Sequence, residues 1–393
     1  MSPKKVIYFD NAATSFPKPQ PVIDAVMEYM TAIGANPGRS GHQLSVNAGE
    51  VVFLARQAIA SLLSVRNPMR VIFCLNATEA LNLAISGLTN TGDHVITTSM
   101  EHNSSIRPLK ELERSGKITL TIVPCSRNGV VEIDELEKHV TASTRIMVIN
   151  HASNVTGTVQ PLRTIGALCR QKNIILIADC AQSAGIIPLD IQQDNIDLLA
   201  FSGHKGLYGP TGTGGLVMAD DFDFSRMRPL KYGGTGSASD KVYQPAFIPD
   251  KYESGTLNVA GLSGLYAGIL HVTSRPDGIH GVHAGKKALV RYFLDRAKSI
   301  PGFTGYVPAE LIETGVVSFN IEGIEPSTVV QILAEDYTIL ARPGLHCSPL
   351  AHQTIGTFPR GTVRFSFGLF NTEDQIDTAI RALNKISTGK RHT

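Results

Sequence analysis

The sequence has no CxxC pair and no block of like charge. Nor does any apolar run approach the roughly 18 residues of a membrane-spanning helix. Its five cysteines, Cys74, Cys125, Cys169, Cys180 and Cys347, are odd in number and scattered. A disulfide framework and a Cys-rich zinc site are therefore excluded, and no metal site is expected. Lys and Arg total 36 against 34 Asp and Glu, a net charge of +2. So small an excess argues against a nucleic acid or an acidic membrane surface as the main partner. The N-terminus MSPKKVIYFDN has two lysines but no apolar h-region, and it runs directly into strand-like sequence. No export signal is read, and the expected location is cytoplasmic. Low-complexity tracts are missing too, as are repeats at solenoid or propeller periods.

What is present is a chain of 393 residues, 42% apolar and 18% charged. That is ample for a buried core and, at about 150 residues per domain, for two to three domains. Short β-branched runs at Val71–Leu75, His94–Thr98, Thr119–Pro124, Arg145–Asn150, Ile174–Asp179, Asp197–Ser202 and Gly214–Met218 read as strands. Amphipathic segments such as Glu79–Ser86, Ser105–Ser115, Ile133–His139 and Leu162–Lys172 lie between them. This alternation predicts βα units in a mostly parallel sheet, an α/β fold. Beyond about Ala260 the pattern becomes helical over Gly261–Val272 and His283–Ser299, with strands near Gly315–Ile321 and Gly361–Ser366. A smaller α+β domain is expected there.

Ligands of open α/β sheets bind at the carboxyl ends of strands. The unusual polar residues fall at those ends: Asn76, Ala77 and Thr78, then His102, Asn154, Asp179 and Gln182, and finally Ser202, His204 and Lys205. A lysine held at the end of a buried strand is desolvated, and its neutral amine can form a Schiff base. The commoner fate of a loop lysine is exposure. Asp179 lies about 26 residues before Lys205. It can pair with a protonated pyridine nitrogen, or be a plain solvated loop carboxylate. Asn76 suits a helix N-cap whose free N–H groups would meet a phosphate, although ordinary capping with no ligand is the commoner reading of this segment alone. His102 can stack on a ring, act as acid or base, or do nothing. The glycines at 209, 212, 214 and 215 match no nucleotide loop and read as turn and close-packing residues.

Cys347, in ARPGLHCSPL, differs from the other cysteines, whose surroundings are apolar or helical. Arg342 and His346 nearby favour a reactive thiol, while a packed small hydrophobe is the plain alternative. Arg364 in TVRFSFG points inward by strand alternation and then needs an anion such as a substrate carboxylate; otherwise it lies on an exposed edge.

Together, MEHNS, HASNVTG, DCAQS, SGHKGLYGPTGTG, YESGTLN and RPGLHCSPLAH resemble the class V aminotransferase group of fold-type-I pyridoxal 5'-phosphate (PLP) enzymes. More narrowly, the chain is similar to cysteine desulfurases of the SufS and selenocysteine-lyase branch, from residue 8 to residue 372. The resemblance implies a seven-stranded large domain over 17–262 and a small domain built from 1–16 and 263–393. It implies PLP on Lys205, Asp179 at the pyridinium nitrogen, Gln182 at the phenolic oxygen and His102 on the ring. Asn154 would lie near that oxygen and the substrate. Ala77, Thr78, Ser202 and His204 would hold the phosphate, and Gly255 and Thr256 would reach it from the other subunit of a homodimer. Arg364 would bind the substrate carboxylate, Arg342 would lie near the cysteine loop, and Cys347 would carry a persulfide. The implied partners are L-cysteine, or L-selenocysteine, and a sulfur-accepting protein or thiol, with iron–sulfur assembly as a destination. The rival readings are a selenocysteine lyase or other C–S lyase, and a conventional aminotransferase.

Overall fold

The computed structural model describes residues 6–38 and 41–389; residues 1–5 of the expected small domain lie outside it. Strands β1 (Ile7–Tyr8), β2 (Val71–Cys74), β3 (Asp93–Thr98), β4 (Ile118–Val123), β5 (Thr144–Asn150), β6 (Ile175–Asp179), β7 (Leu198–Ser202) and β8 (Gly214–Met218) come first in the chain. The last seven form one sheet in the order β2-β8-β7-β6-β5-β3-β4. Only β8 runs against its neighbours.

Both faces of this sheet are buried, which explains the continuous apolar runs. Met147, Ile149, Leu176 and Ala178 enter one core, while Ile146, Val148, Ile175 and Ile177 enter the other. Two glycines let β8 pass between β2 and β7. A Cβ on Gly214 would lie 2.7 Å from the Phe201 carbonyl oxygen, and one on Gly215 would lie 2.5 Å from that of Ile72. The 214–215 pair thus serves close packing, as its lack of a nucleotide motif suggested.

The second sheet is antiparallel. It is built from β9 (Phe303–Gly305), β10 (Val316–Ile321), β12 (Arg342–Gly344) and β13 (Thr362–Ser366), in the order β12-β13-β10-β9. β1 pairs separately with β11 (Ile339–Leu340). A phenylalanine cluster fills this core, with Phe9 at 5.0 Å from Phe365 and 5.1 Å from Phe367 between ring centroids. The N-terminal arm therefore packs with residues more than 300 positions later. Helix Val259–Thr273 sends Leu262, Leu265 and Ile269 into the first core of the large sheet. The expected division after residue 262 falls inside this helix.

A buried ion pair braces the large sheet. Arg56 Nη1 donates to Glu253 Oε1 at 2.8 Å, and that oxygen also accepts from the Phe73 amide at 2.6 Å. Both side chains are at most 5% exposed. No helix among the described residues is long and apolar enough to cross a membrane.

Candidate active site

Register fixes the floor of the site. Asn150 pairs with Asp179, and Asp179 with Ala200, so the carboxyl ends of β5 and β6 lie level and β7 runs two residues further, to Ser202. Above them opens a cavity of about 300 Å³. Ala77, Thr78, His102, Asn154, Asp179, Gln182, Ser202, His204, Lys205, Arg342 and Arg364 all line it. Segments from five strand ends and from the second sheet thus meet in one place. Gly255 and Thr256 do not line the cavity of their own chain and are exposed.

Lys205 is half-buried at the cavity floor, and burial lowers its amine from 10.5 to about 8, with nearby Asp179 pulling the other way. Asp179 is pushed upward by burial, against the Ala181 amide that donates to Oδ1 at 3.0 Å. His102 caps helix Asn103–Arg114, its Nδ1 accepting from the Ser104 amide at 3.1 Å. Burial, then the charges of Lys205, Arg342 and Arg364, bring its pKa down to about 3, so the ring is neutral. Asn76 caps helix Ala77–Leu88, accepting from the Glu79 amide at 3.0 Å, and the Ala77 amide donates to Ser202 Oγ at 3.3 Å. His204 Nδ1 is buried and has no partner.

The peptide before Lys205 is held by the N-terminal arm. The His204 carbonyl oxygen accepts from Ser15 N at 3.0 Å, Ser15 Oγ at 3.1 Å, Thr14 Oγ1 at 3.2 Å and Lys18 Nζ at 3.0 Å. Gln182 Nε2 donates to the Ala12 carbonyl oxygen at 2.9 Å. Sequence reading assigned nothing to this arm, although Ala12 and Ala13 line the cavity.

Cys347 is exposed and is not among the residues lining the cavity, but Arg342, which does line it, donates from Nη2 to its Sγ at 3.4 Å. Cys347 and His346 both have left-handed backbones, with φ of 62° and 50°. Such consecutive non-glycine residues persist only where neighbours hold them. Asn154 does so from both sides: Nδ2 donates to the His346 carbonyl oxygen at 2.6 Å, and Oδ1 accepts from Ser348 Oγ at 2.8 Å. The Asn103 amide donates to the Cys347 carbonyl oxygen at 2.9 Å. Asn154 thus clamps the cysteine loop in addition to facing the cavity.

A buried lysine and acid at the strand ends of a mostly parallel α/β sheet define the fold-type-I class of PLP enzymes. Within that class, the model of the class V aminotransferase family matches residues 7–378, and the chain belongs to this family. It is 34% identical to a probable cysteine desulfurase of Halalkalibacterium halodurans over 97% of this chain and 93% of that protein. A cysteine desulfurase of an Enterobacter species is 33% identical, over 96% and 93%. The solved apo structure of the cysteine desulfurase of Thermococcus onnurineus superposes with a TM-score of 0.91 at 31% identity, covering 98% of this chain and 95% of that one.

The family implies PLP, and the residues fit it. A desolvated amine, a buried acid that makes no ion pair, a neutral imidazole and a helix N-terminus with an unpartnered His204 Nδ1 face one cavity. The last two features form an anion cradle. Among the described residues, no cluster of three or more His, Cys, Asp or Glu is placed to hold a metal ion.

Proposed function

We propose that the chain is a cysteine desulfurase, taking sulfur from L-cysteine onto Cys347 and releasing L-alanine. The observation that carries this reading is the position of Cys347: exposed, and beside an arginine that lines the same cavity as Lys205. A C–S lyase or an aminotransferase can dispense with a thiol held beside that arginine.

In this reading PLP, held by Lys205, supplies the electron sink that makes the substrate's Cα–H acidic. Ala77, Thr78, Ser202 and His204 form its phosphate cradle. Asp179 would pair with the ring nitrogen, where a cation would offset the burial that otherwise favours its neutral form. His102, a neutral imidazole, would stack on the ring, and Gln182 and Asn154 would hold its phenolic oxygen. Gly255 and Thr256, exposed in one chain, complete the cradle of a second copy. Homodimerisation is then a functional requirement.

Arg364 binds the substrate carboxylate. The Lys205 amine, lowered to about 8, is partly neutral near physiological pH and accepts the Cα proton. The Cys347 Sγ–S bond forms as the substrate Cβ–S bond breaks, and that bond's electron pair stays with the three-carbon skeleton. The skeleton takes up a proton at Cβ, regains one at Cα from Lys205, and leaves as L-alanine. An acceptor protein or thiol then removes the persulfide sulfur; the cytoplasm is the proposed location, and iron–sulfur assembly is one destination. The test is incubation with L-cysteine followed by alanine assay and mass spectrometry of the Cys347 peptide. An added 32 Da on Cys347 with matching alanine is expected; alanine without sulfur on Cys347 would overturn the reading in favour of a lyase.

A further inference from the structure

Arg364 is 1% exposed, and a charge so buried requires a counter-charge. It has one already. Nη2 donates to Asp10 Oδ1 at 2.6 Å, and Nη1 donates to the Asn154 carbonyl oxygen at 3.2 Å. Nε, equally buried, has no partner. Arg364 is among the residues lining the cavity, so a carboxylate entering there meets a cation that another carboxylate already holds on one side. Asp10 is itself fixed to the same strand by its bridge to Ser366.

We propose that Asp10 is the resident counter-ion of Arg364 and sets the affinity of this site for amino-acid carboxylates by opposing them electrostatically. The inference rests on Arg364 as the carboxylate-binding residue. In the empty protein Asp10 neutralises a cation that water cannot reach. Once an amino acid docks, two like charges share one guanidinium and repel each other. Removing the charge of Asp10 therefore raises the free energy of the empty protein more than that of the occupied one, and carboxylate binding tightens. The product carries the same carboxylate as the substrate, so the opposition also speeds release of L-alanine. A purely structural Asp10 predicts the reverse sign: its loss would disorder Arg364 and weaken binding.

Asp10→Asn is isosteric, and its amide oxygen still accepts from Nη2, so orientation is kept and only charge is lost. The cofactor-loaded wild type, Asp10→Asn and Arg364→Gln are titrated calorimetrically with L-alanine and, separately, with cysteamine, which lacks the carboxylate. L-Alanine is expected to bind Asp10→Asn about 10-fold more tightly than wild type, within the usual range of coupling between two sites. Cysteamine should differ by less than about 2-fold between the two, since it places no charge on Arg364. In thermal melts, saturating L-alanine should raise the midpoint of Asp10→Asn more than that of wild type. Unchanged or weaker L-alanine binding in Asp10→Asn overturns the proposal, as does equal tightening of cysteamine. Arg364→Gln tests the underlying assignment separately: if it leaves L-alanine binding unaltered, Arg364 is not the carboxylate site.

Discussion

The two sides of the cavity are built by different means. On the sheet side, Asp179, Ser202 and Lys205 follow the ends of parallel strands whose register is fixed by two buried faces. The opposite side consists of two arginines on neighbouring antiparallel strands, a left-handed cysteine loop and an arm from the start of the chain. The sheet side is uncharged or lightly charged: burial drives Lys205, His102 and His204 toward their neutral forms. Two guanidiniums dominate the other. One side thus suits a covalently held ring, and the other suits an anionic substrate and a sulfur that must leave.

If that division of labour holds, variants on each side should fail differently. Lys205→Ala should lose the visible absorbance of the tethered cofactor and cut desulfuration by about 10³-fold or more, while iodoacetamide still labels Cys347 at the wild-type rate. Retained absorbance would remove Lys205 from its role. Cys347→Ala should show the mirror image, with absorbance intact and sulfur release from L-cysteine at background; a fully active variant would move the enzyme out of the desulfurase class.

Glu253→Ala probes how rigidly the sheet side is braced. It leaves Arg56 buried without its partner, a loss of about 3–5 kcal/mol for a pair of this kind, to be read from chemical denaturation. A change below about 1 kcal/mol, the surface-pair value, would show that the brace contributes little.

The smallest effect concerns Lys286, buried on helix Gly278–Ala297 with its Nζ on the Phe367 carbonyl oxygen. Burial lowers its pKa from 10.5 to about 8. The native state therefore binds this proton less tightly than the unfolded chain, and stability rises with pH between about 8 and 10.5. Lys286→Met should stabilise the protein at pH 7 by about 1 kcal/mol, with the gain fading toward pH 10.5. Melting curves at both ends of that window check it, and a gain that does not change with pH would rule out the buried charge as its source.

Legibility in sequence follows the same division. The large-sheet strands appear within a residue or so of their expected bounds, because burial on both faces writes each one as an apolar run. Helix Leu162–Lys172 was read in full for a similar reason: its apolar spacing is local. β9, β11 and β12 escape a sequence reading, since two or three residues carry no period, and β1 shows only as strand-like sequence without bounds. The Asp10–Arg364 contact joins residues 354 positions apart and leaves no local pattern. Asn154 was read as a cavity residue, but its grip on the cysteine loop depends on partners 192 and 194 positions away. Charge and spacing near Cys347 singled out the thiol, yet not the backbone strain that presents it.

The four donors gathered on the His204 carbonyl oxygen come from residues 14, 15 and 18. The reactive amine is thus moored to the short segment of residues 14–18. A protease cut between Asp10 and Lys18, or an affinity tag fused after trimming this stretch, would slacken that mooring without touching any residue of the sheet.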